Sequence, residues 1–154
     1  MKIMYPGHAN LFVQGNGVNF LCDPWLEGRQ YINNASVWLY PPVRLKMADL
    51  PKLDFIYISH EHDDHFSVDT LNQLPQDLPI YVLKFRERNR ILYDRLLNLG
   101  KTNVIMLEPW ETREINSNTK ITIFPSDHGW VDSSCCIEHD GATLYHGNDN
   151  NIDV

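Results

Sequence analysis

The stretch His60-Glu61-His62-Asp63-Asp64-His65 gathers three histidines and two aspartates directly behind the apolar run Leu53-Asp54-Phe55-Ile56-Tyr57-Ile58-Ser59. The run reads as a strand, and the polar stretch as the loop at its C-terminal mouth. On a chain that turns there, His60 and His62 can aim imidazoles at one ion while Asp64 and His65 face a neighbouring ion. Nitrogen and carboxylate ligands suit zinc, iron or manganese. A histidine-rich surface turn is the plain alternative. The internal position, between a buried-looking strand and a helix-like segment, argues for the metal.

Upstream, residues 2–5 and 9–14 read as short strands interrupted by Pro6-Gly7. Gly15-Asn16-Gly17 then makes a hairpin into residues 18–22, a strand ended by Asp23-Pro24-Trp25. Residues 26–50 carry paired asparagines and Pro41-Pro42 without a clear period, and are expected to form a long loop or lid. Trp25, Trp38 and Tyr40 there either wall a substrate site or pack the loop down.

Downstream, Ser67 is placed to cap a short helix reaching Leu74, and residues 80–83 read as a strand. Ile91, Leu92, Leu96, Leu97 and Leu99 recur at helical intervals over 87–99, with Gly100 as the closing glycine. Lys84, Arg86, Arg88, Arg90 and Arg95 make that region basic, which fits a solvated face or an anion site. Further strands are expected at 104–107, on both sides of Asn116-Ser117-Asn118, at 121–124, at 134–137 and at 142–145. Strands outnumber helices, and the fold class is α+β.

The chain has 154 residues, 43% of them hydrophobic and 11% aromatic, enough for one ordinary domain over 1–154 with a buried core. A formal net charge of -7 offers no basic footprint for duplex binding, so nucleic acid is not an expected partner. Three cysteines, two of them adjacent at Cys135-Cys136, fit a reducing, cytoplasmic compartment better than a disulfide framework. No apolar run reaches the length of a membrane span.

One loop supplies too few ligands for two ions. His128, in Pro125-Ser126-Asp127-His128-Gly129, follows the 121–124 strand, and Asp149, in His146-Gly147-Asn148-Asp149-Asn150, follows the 142–145 strand. Each is a ligand candidate or an ordinary turn residue, and a carboxylate at Asp149 could bridge two ions. His139, beside Asp140-Gly141 in a hairpin turn, is expected to be exposed. His146 is the fallback third ligand.

With these residues in place the chain resembles the metallo-β-lactamase fold superfamily, through the H-x-H-x-D-H loop, a later histidine after a strand and a later aspartate after another. Gly7-His8-Ala9-Asn10-Leu11, Leu21-Cys22-Asp23-Pro24-Trp25-Leu26, Tyr40-Pro41-Pro42 and Ile56-Tyr57-Ile58-Ser59-His60 resemble one branch of it more narrowly. That branch contains ascorbate-6-phosphate lactonase, N-acyl-phosphatidylethanolamine phospholipase D and CMP-N-acetylneuraminate hydroxylase. The resemblance implies an αββα sandwich. It implies His60, His62 and His128 as ligands of a first ion, Asp64 and His65 as ligands of a second, and Asp149 as the bridge. Asp23 would lie beneath the site as a supporting carboxylate, or simply end its strand before proline. His8 would orient a neighbour near the site or sit in its loop on a backbone contact.

Proteins of this superfamily usually continue past the bridging aspartate to a last histidine, whereas this sequence stops five residues later. The expectation is a sandwich lacking its C-terminal portion, belonging to a longer protein or covered by a second copy in a homo-oligomer. The expected function is a metal-dependent hydrolase with one or two zinc ions. A metal-activated hydroxide would attack an ester, lactone, amide or phosphodiester, with Asp64 as the catalytic group that holds the water and accepts its proton. The substrate is expected to be a small molecule, phosphorylated or nucleotide-linked species included. The alternatives are a shortened metal-binding domain without catalysis and a di-iron oxygenase.

Overall fold

The computed structural model describes residues 1–27, 30–32, 35–37, 40, 42–43, 45–84, 90–126 and 132–149. Its first sheet forms from β1 (Lys2–Gly7), β2 (Asn10–Gly15), β3 (Val18–Cys22), β6 (Phe55–Tyr57), β7 (Ile80–Leu83) and β8 (Val104–Leu107), side by side in that order. The first three run antiparallel through tight turns, whereas β3, β6, β7 and β8 are parallel. The second sheet is an antiparallel meander of β9 (Thr112–Asn116), β10 (Thr119–Pro125), β11 (Ser133–His139) and β12 (Ala142–His146).

Period-two alternation explains the layers. Leu21, Ile56, Ile80 and Val82 turn to one face of the first sheet and pack with Leu71 and Leu74 near α1 (Val68–Gln73), and with Leu92 and Leu96 of α2 (Arg90–Asn98). Phe20, Cys22, Phe55, Tyr57, Tyr81 and Leu83 turn the other way and meet Ile121, Ile123, Cys135 and Ile137 of the second sheet. The result is a helix layer on two packed sheets. Phe20 and Phe55 stack at 4.6 Å across the parallel pair, and Tyr81 meets Phe55 edge-on. On the outer side of the second sheet Trp110 is 65% exposed, with Phe124 at 5.0 Å, and Tyr145 is 41% exposed.

The helix signals hold where they can be followed. Ser67 caps α1, its hydroxyl accepting from the Thr70 amide, and Gly100 takes φ +77 after α2. Residues 85–89, where the helix was expected to begin, lie outside the described residues. Three expectations need correction. The 26–50 segment contains a small antiparallel pair, β4 (Gln30–Ile32) with β5 (Ala35–Val37), and a 3-10 turn at Met47–Asp49. Three-residue strands are too short to show alternation in a sequence. The strand expected over 53–59 narrows to Phe55–Tyr57 because Ser59 and Asp54 hydrogen-bond outside the ladder. His139 is buried rather than exposed. Its Nε2 accepts from the Asn16 amide at 3.0 Å and its Nδ1 donates to Thr119 Oγ1 at 2.9 Å, so the ring joins the two sheets. Gly15 makes room for it, since a Cβ there would stand 2.4 Å from His139 Nε2.

Candidate metal centre

Parallel strands end on one side of a sheet, so β3 and β6, paired Cys22 to Tyr57, deliver Asp23 and the 59–65 loop next to each other. The β1–β2 turn brings His8 to the same end. The second sheet adds Asp132 before β11 and His146 and Asp149 at and after β12.

Asp23 is the hub. It is fully buried, with a positive φ of 43, and accepts four hydrogen bonds. Ser59 donates its amide to Oδ1 and its hydroxyl to Oδ2, both at 2.7 Å. His65 Nδ1 donates at 2.9 Å and His146 Nε2 at 3.1 Å, both to Oδ2. Burial alone would raise this carboxyl, but the bonds from His146 and His65 overcome it and hold Asp23 well below the usual carboxylate range. The bonds also fix tautomers. Because the only Ser59 hydroxyl hydrogen goes to Asp23, Ser59 Oγ accepts from His60 Nδ1 at 2.9 Å. His60 and His65 thus both carry a hydrogen on Nδ1 and leave Nε2 free as an electron-pair donor.

The imidazoles and carboxylates converge. His62 Nδ1 donates to the bare His60 Nε2 at 3.0 Å. Asp149 splits its carboxylate, with Oδ2 4.0 Å from His60 Nε2 and Oδ1 3.3 Å from His65 Nε2. Asp64 Oδ2 is 3.7 Å from His65 Nε2 and 2.8 Å from His8 Nε2. The bond from His8 is the largest influence on Asp64 and lowers it to about 2. Burial lowers His60, with the neighbouring His65 adding to the effect. Burial also works against a charged His65, yet Asp23, Asp149 and Asp64 raise it above its ordinary value.

The residues fit a metal ion on one observation in particular. His65 Nε2 is buried and makes no hydrogen bond, and two carboxylate oxygens point toward it. An orphaned buried nitrogen is costly unless something fills the place. Three overlapping triads, His8/Asp64/His65, His60/His65/Asp149 and His60/His62/Asp132, each bring their ligand atoms within 4.8 Å of one another.

Of the residues singled out in the sequence, the structure brings together His60, His62, Asp64, His65 and Asp149, with Asp23 beneath and His8 beside them. His128 and Trp38 lie outside the described residues. His146, the fallback ligand, turns instead to Asp23. Trp25 is 1% exposed and packs edge-on against His8 at 5.8 Å, whereas Tyr40 is 93% exposed. Sequence reasoning missed three residues. Ser59 couples Asp23 to His60, Asp132 Oδ1 sits 3.3 Å from His60 Nδ1, and Arg95 grips the loop from α2. The only signal for Ser59 is its place beside His60; Asp132 and Arg95 carry none.

A family model described as "Beta-lactamase superfamily domain" matches residues 18–152. The chain belongs to the metallo-β-lactamase superfamily. Among its relatives, N-acyl-phosphatidylethanolamine-hydrolyzing phospholipase D 1 of Caenorhabditis elegans is 33% identical over 133 residues, covering 79% of this superfamily member and 36% of the relative. Cytidine monophosphate-N-acetylneuraminic acid hydroxylase of Cricetulus griseus is 31% identical over 151 residues, 92% of this chain and 25% of the relative. The chain thus spans between a quarter and roughly a third of the length of these relatives. The crystal structure of CmlA, a diiron beta-hydroxylase from Streptomyces venezuelae, superposes with a TM-score of 0.75 at 26% identity, covering 96% of this chain and 29% of CmlA. A hydrolysing phospholipase, a hydroxylase and a diiron hydroxylase therefore all stand among the neighbours of this fold.

Proposed function

We propose that the cluster of His60, His62, Asp64, His65 and Asp149 is a two-ion centre that hydrolyses an ester, lactone or phosphodiester bond in a small, phosphorylated or nucleotide-linked molecule. The observation that carries this reading is the divided Asp149 carboxylate, one oxygen toward His60 and the other toward the unpartnered His65 Nε2. His60 and His62, with His128 from outside the described residues, would hold the first ion. Asp64 and His65 would hold the second, and Asp149 would span both. Zinc ions bound there supply a nucleophile at neutral pH by acidifying a water, and polarise the bond to be cleaved. The chain's own residues do the rest. Asp64, held ionised at neutral pH by the bond from His8, would accept a hydrogen bond from the attacking water and orient it; a carboxyl held so low is a weak base, so it would relay the proton onward, not keep it. Asp23 and Ser59 keep His60 and His65 in the ligating tautomer. Three free cysteines support a reducing compartment such as the cytoplasm. Among the described residues no helix is long and apolar enough to cross a membrane.

A second reading, a di-iron oxygenase, is favoured by the likeness to CmlA over 96% of the chain. Elemental analysis of protein purified without added metal separates the two. Zinc, with turnover in a phosphodiesterase and lactonase screen, supports the hydrolase. Iron with an oxo-bridge absorption band supports the oxygenase. His62→Ala and Asp64→Ala should each lose bound metal and turnover, and full metal stoichiometry in both variants would sink the ligand assignment.

A further inference from the structure

We propose that His8 is itself a metal ligand, giving the second ion a second imidazole beside His65 and making the β1–β2 turn part of the centre. The inference rests on the two-ion reading above and extends it to a residue far from the 60–65 loop in sequence.

The atoms are placed for it. His8 Nε2 lies 2.8 Å from Asp64 Oδ2, and the ligand atoms of His8, Asp64 and His65 all lie within 4.8 Å of one another. Two donor atoms held tetrahedrally by one ion through bonds of about 2.0–2.2 Å sit roughly 3.3–3.6 Å apart, so the apo hydrogen bond has only to open by about half an ångström for an ion to take the place of its proton. The same Asp64 oxygen faces His65 Nε2, the buried nitrogen with no hydrogen bond. His8, Asp64 and His65 therefore surround a point where a buried electron pair lacks a partner. Asp149 Oδ1 closes that point from the second sheet, 3.3 Å from His65 Nε2. Two imidazoles and two carboxylates make a donor set that suits zinc, manganese or iron.

The turn is built to hold the ring there. His8 takes a φ of 51, a left-handed conformation unfavourable for a side chain with a Cβ, between Gly7 and Ala9. Its ring meets Trp25 edge-on at 5.8 Å and His65 at 5.3 Å. The side chain is 37% exposed, and a hydrogen bond so open to solvent contributes little stability by itself. The left-handed turn instead serves to aim the ring at Asp64 and His65, where an ion held by both side chains would add what the exposed bond does not.

The test strips the protein with a chelator and titrates it with zinc and, separately, with cobalt, reading stoichiometry by elemental analysis and coordination by the visible cobalt spectrum. Wild type is expected to take up two ions. His8→Ala and His8→Gln should keep one tight ion, weaken the second at least a hundredfold and change the cobalt spectrum, with circular dichroism unchanged. If wild type and both variants hold two ions with affinities within tenfold and the same spectrum, His8 only orients Asp64 and the proposal is overturned while the centre stands. Uptake of one ion or none by wild type overturns the two-ion reading itself.

Discussion

Arg95 grips Asp63 from behind the ligand loop, its Nη2 donating to Asp63 Oδ1 at 2.9 Å while Nη1 donates to the Glu61 carbonyl. The guanidinium also stacks 4.2 Å from the Phe66 ring. One side chain on α2 thus fixes both flanks of His62 by hydrogen bonds and a stacking contact. Asp63 and Arg95 are both partly solvated, so the ion pair contributes little; the carbonyl bond and the stacking matter more. Arg95→Ala should cost about 1–2 kcal/mol in urea unfolding, and should weaken, without abolishing, binding of the ion proposed at His60 and His62. Arg95→Lys, which loses the fork and most of the stacking, should recover less than half of the metal affinity measured by competition with a chelating dye.

Asp23→Asn removes the charge on which His65, His146 and Ser59 converge. An amide oxygen cannot serve four donors, and its NH2 faces groups that already donate. Destabilisation of about 3–5 kcal/mol is expected, the range for breaking a buried charge network by taking one partner away. Chemical denaturation measures it, and a loss below about 1 kcal/mol would contradict the hub role.

Acid–base behaviour should show the same hub in the metal-free protein. Burial lowers His146, but its bond to Asp23 more than offsets that and raises it to about 9, from an ordinary 6.5. A raised histidine contributes stability that is complete below 6.5 and is lost as pH climbs through about 9. Midpoints of thermal unfolding should therefore fall between these pH values in wild type and fall less in His146→Gln.

Gly15→Ala should place a methyl group against His139, whose Nε2 would stand 2.4 Å from the new Cβ. The ring is committed to Asn16 and Thr119 and cannot swing away without losing both bonds. A cost of about 1–3 kcal/mol is expected from such overpacking. In the double variant Gly15→Ala/His139→Ala the two losses should be clearly less than additive, which a double-mutant cycle reads directly.

The clustering of the 60–65 loop, the strand before it and the glycine-closed helix were legible because each carries a strong local signal. These are H-x-H-x-D-H spacing, an apolar run, and 3.6-residue periodicity ending at Gly100. Asp149 was legible because strand-end loops on one side of a fold converge. His139 was misplaced because a hairpin turn usually implies solvent, and only the packing of the second sheet on Gly15 reveals the space it fills. Asp132 and Arg95 were invisible for a related reason. Each meets the loop through sheet stacking or helix packing, and nothing local in the sequence records such contacts. The choice between Asp23 as a strand terminator and Asp23 as a support turned out to be no choice, since it ends β3 and holds His65 together.

The tautomers fixed by Asp23 and Ser59 have a consequence for how an ion is received. Most of the ordering of His60 and His65 is completed when the sheets close, with β12 of the second sheet contributing His146 to the same carboxylate. The entropy of arranging those rings is therefore met by folding and not at the moment of capture. An ion bound there as proposed would meet rings already ordered, and whatever loosens β12 should weaken its capture before it unfolds the chain.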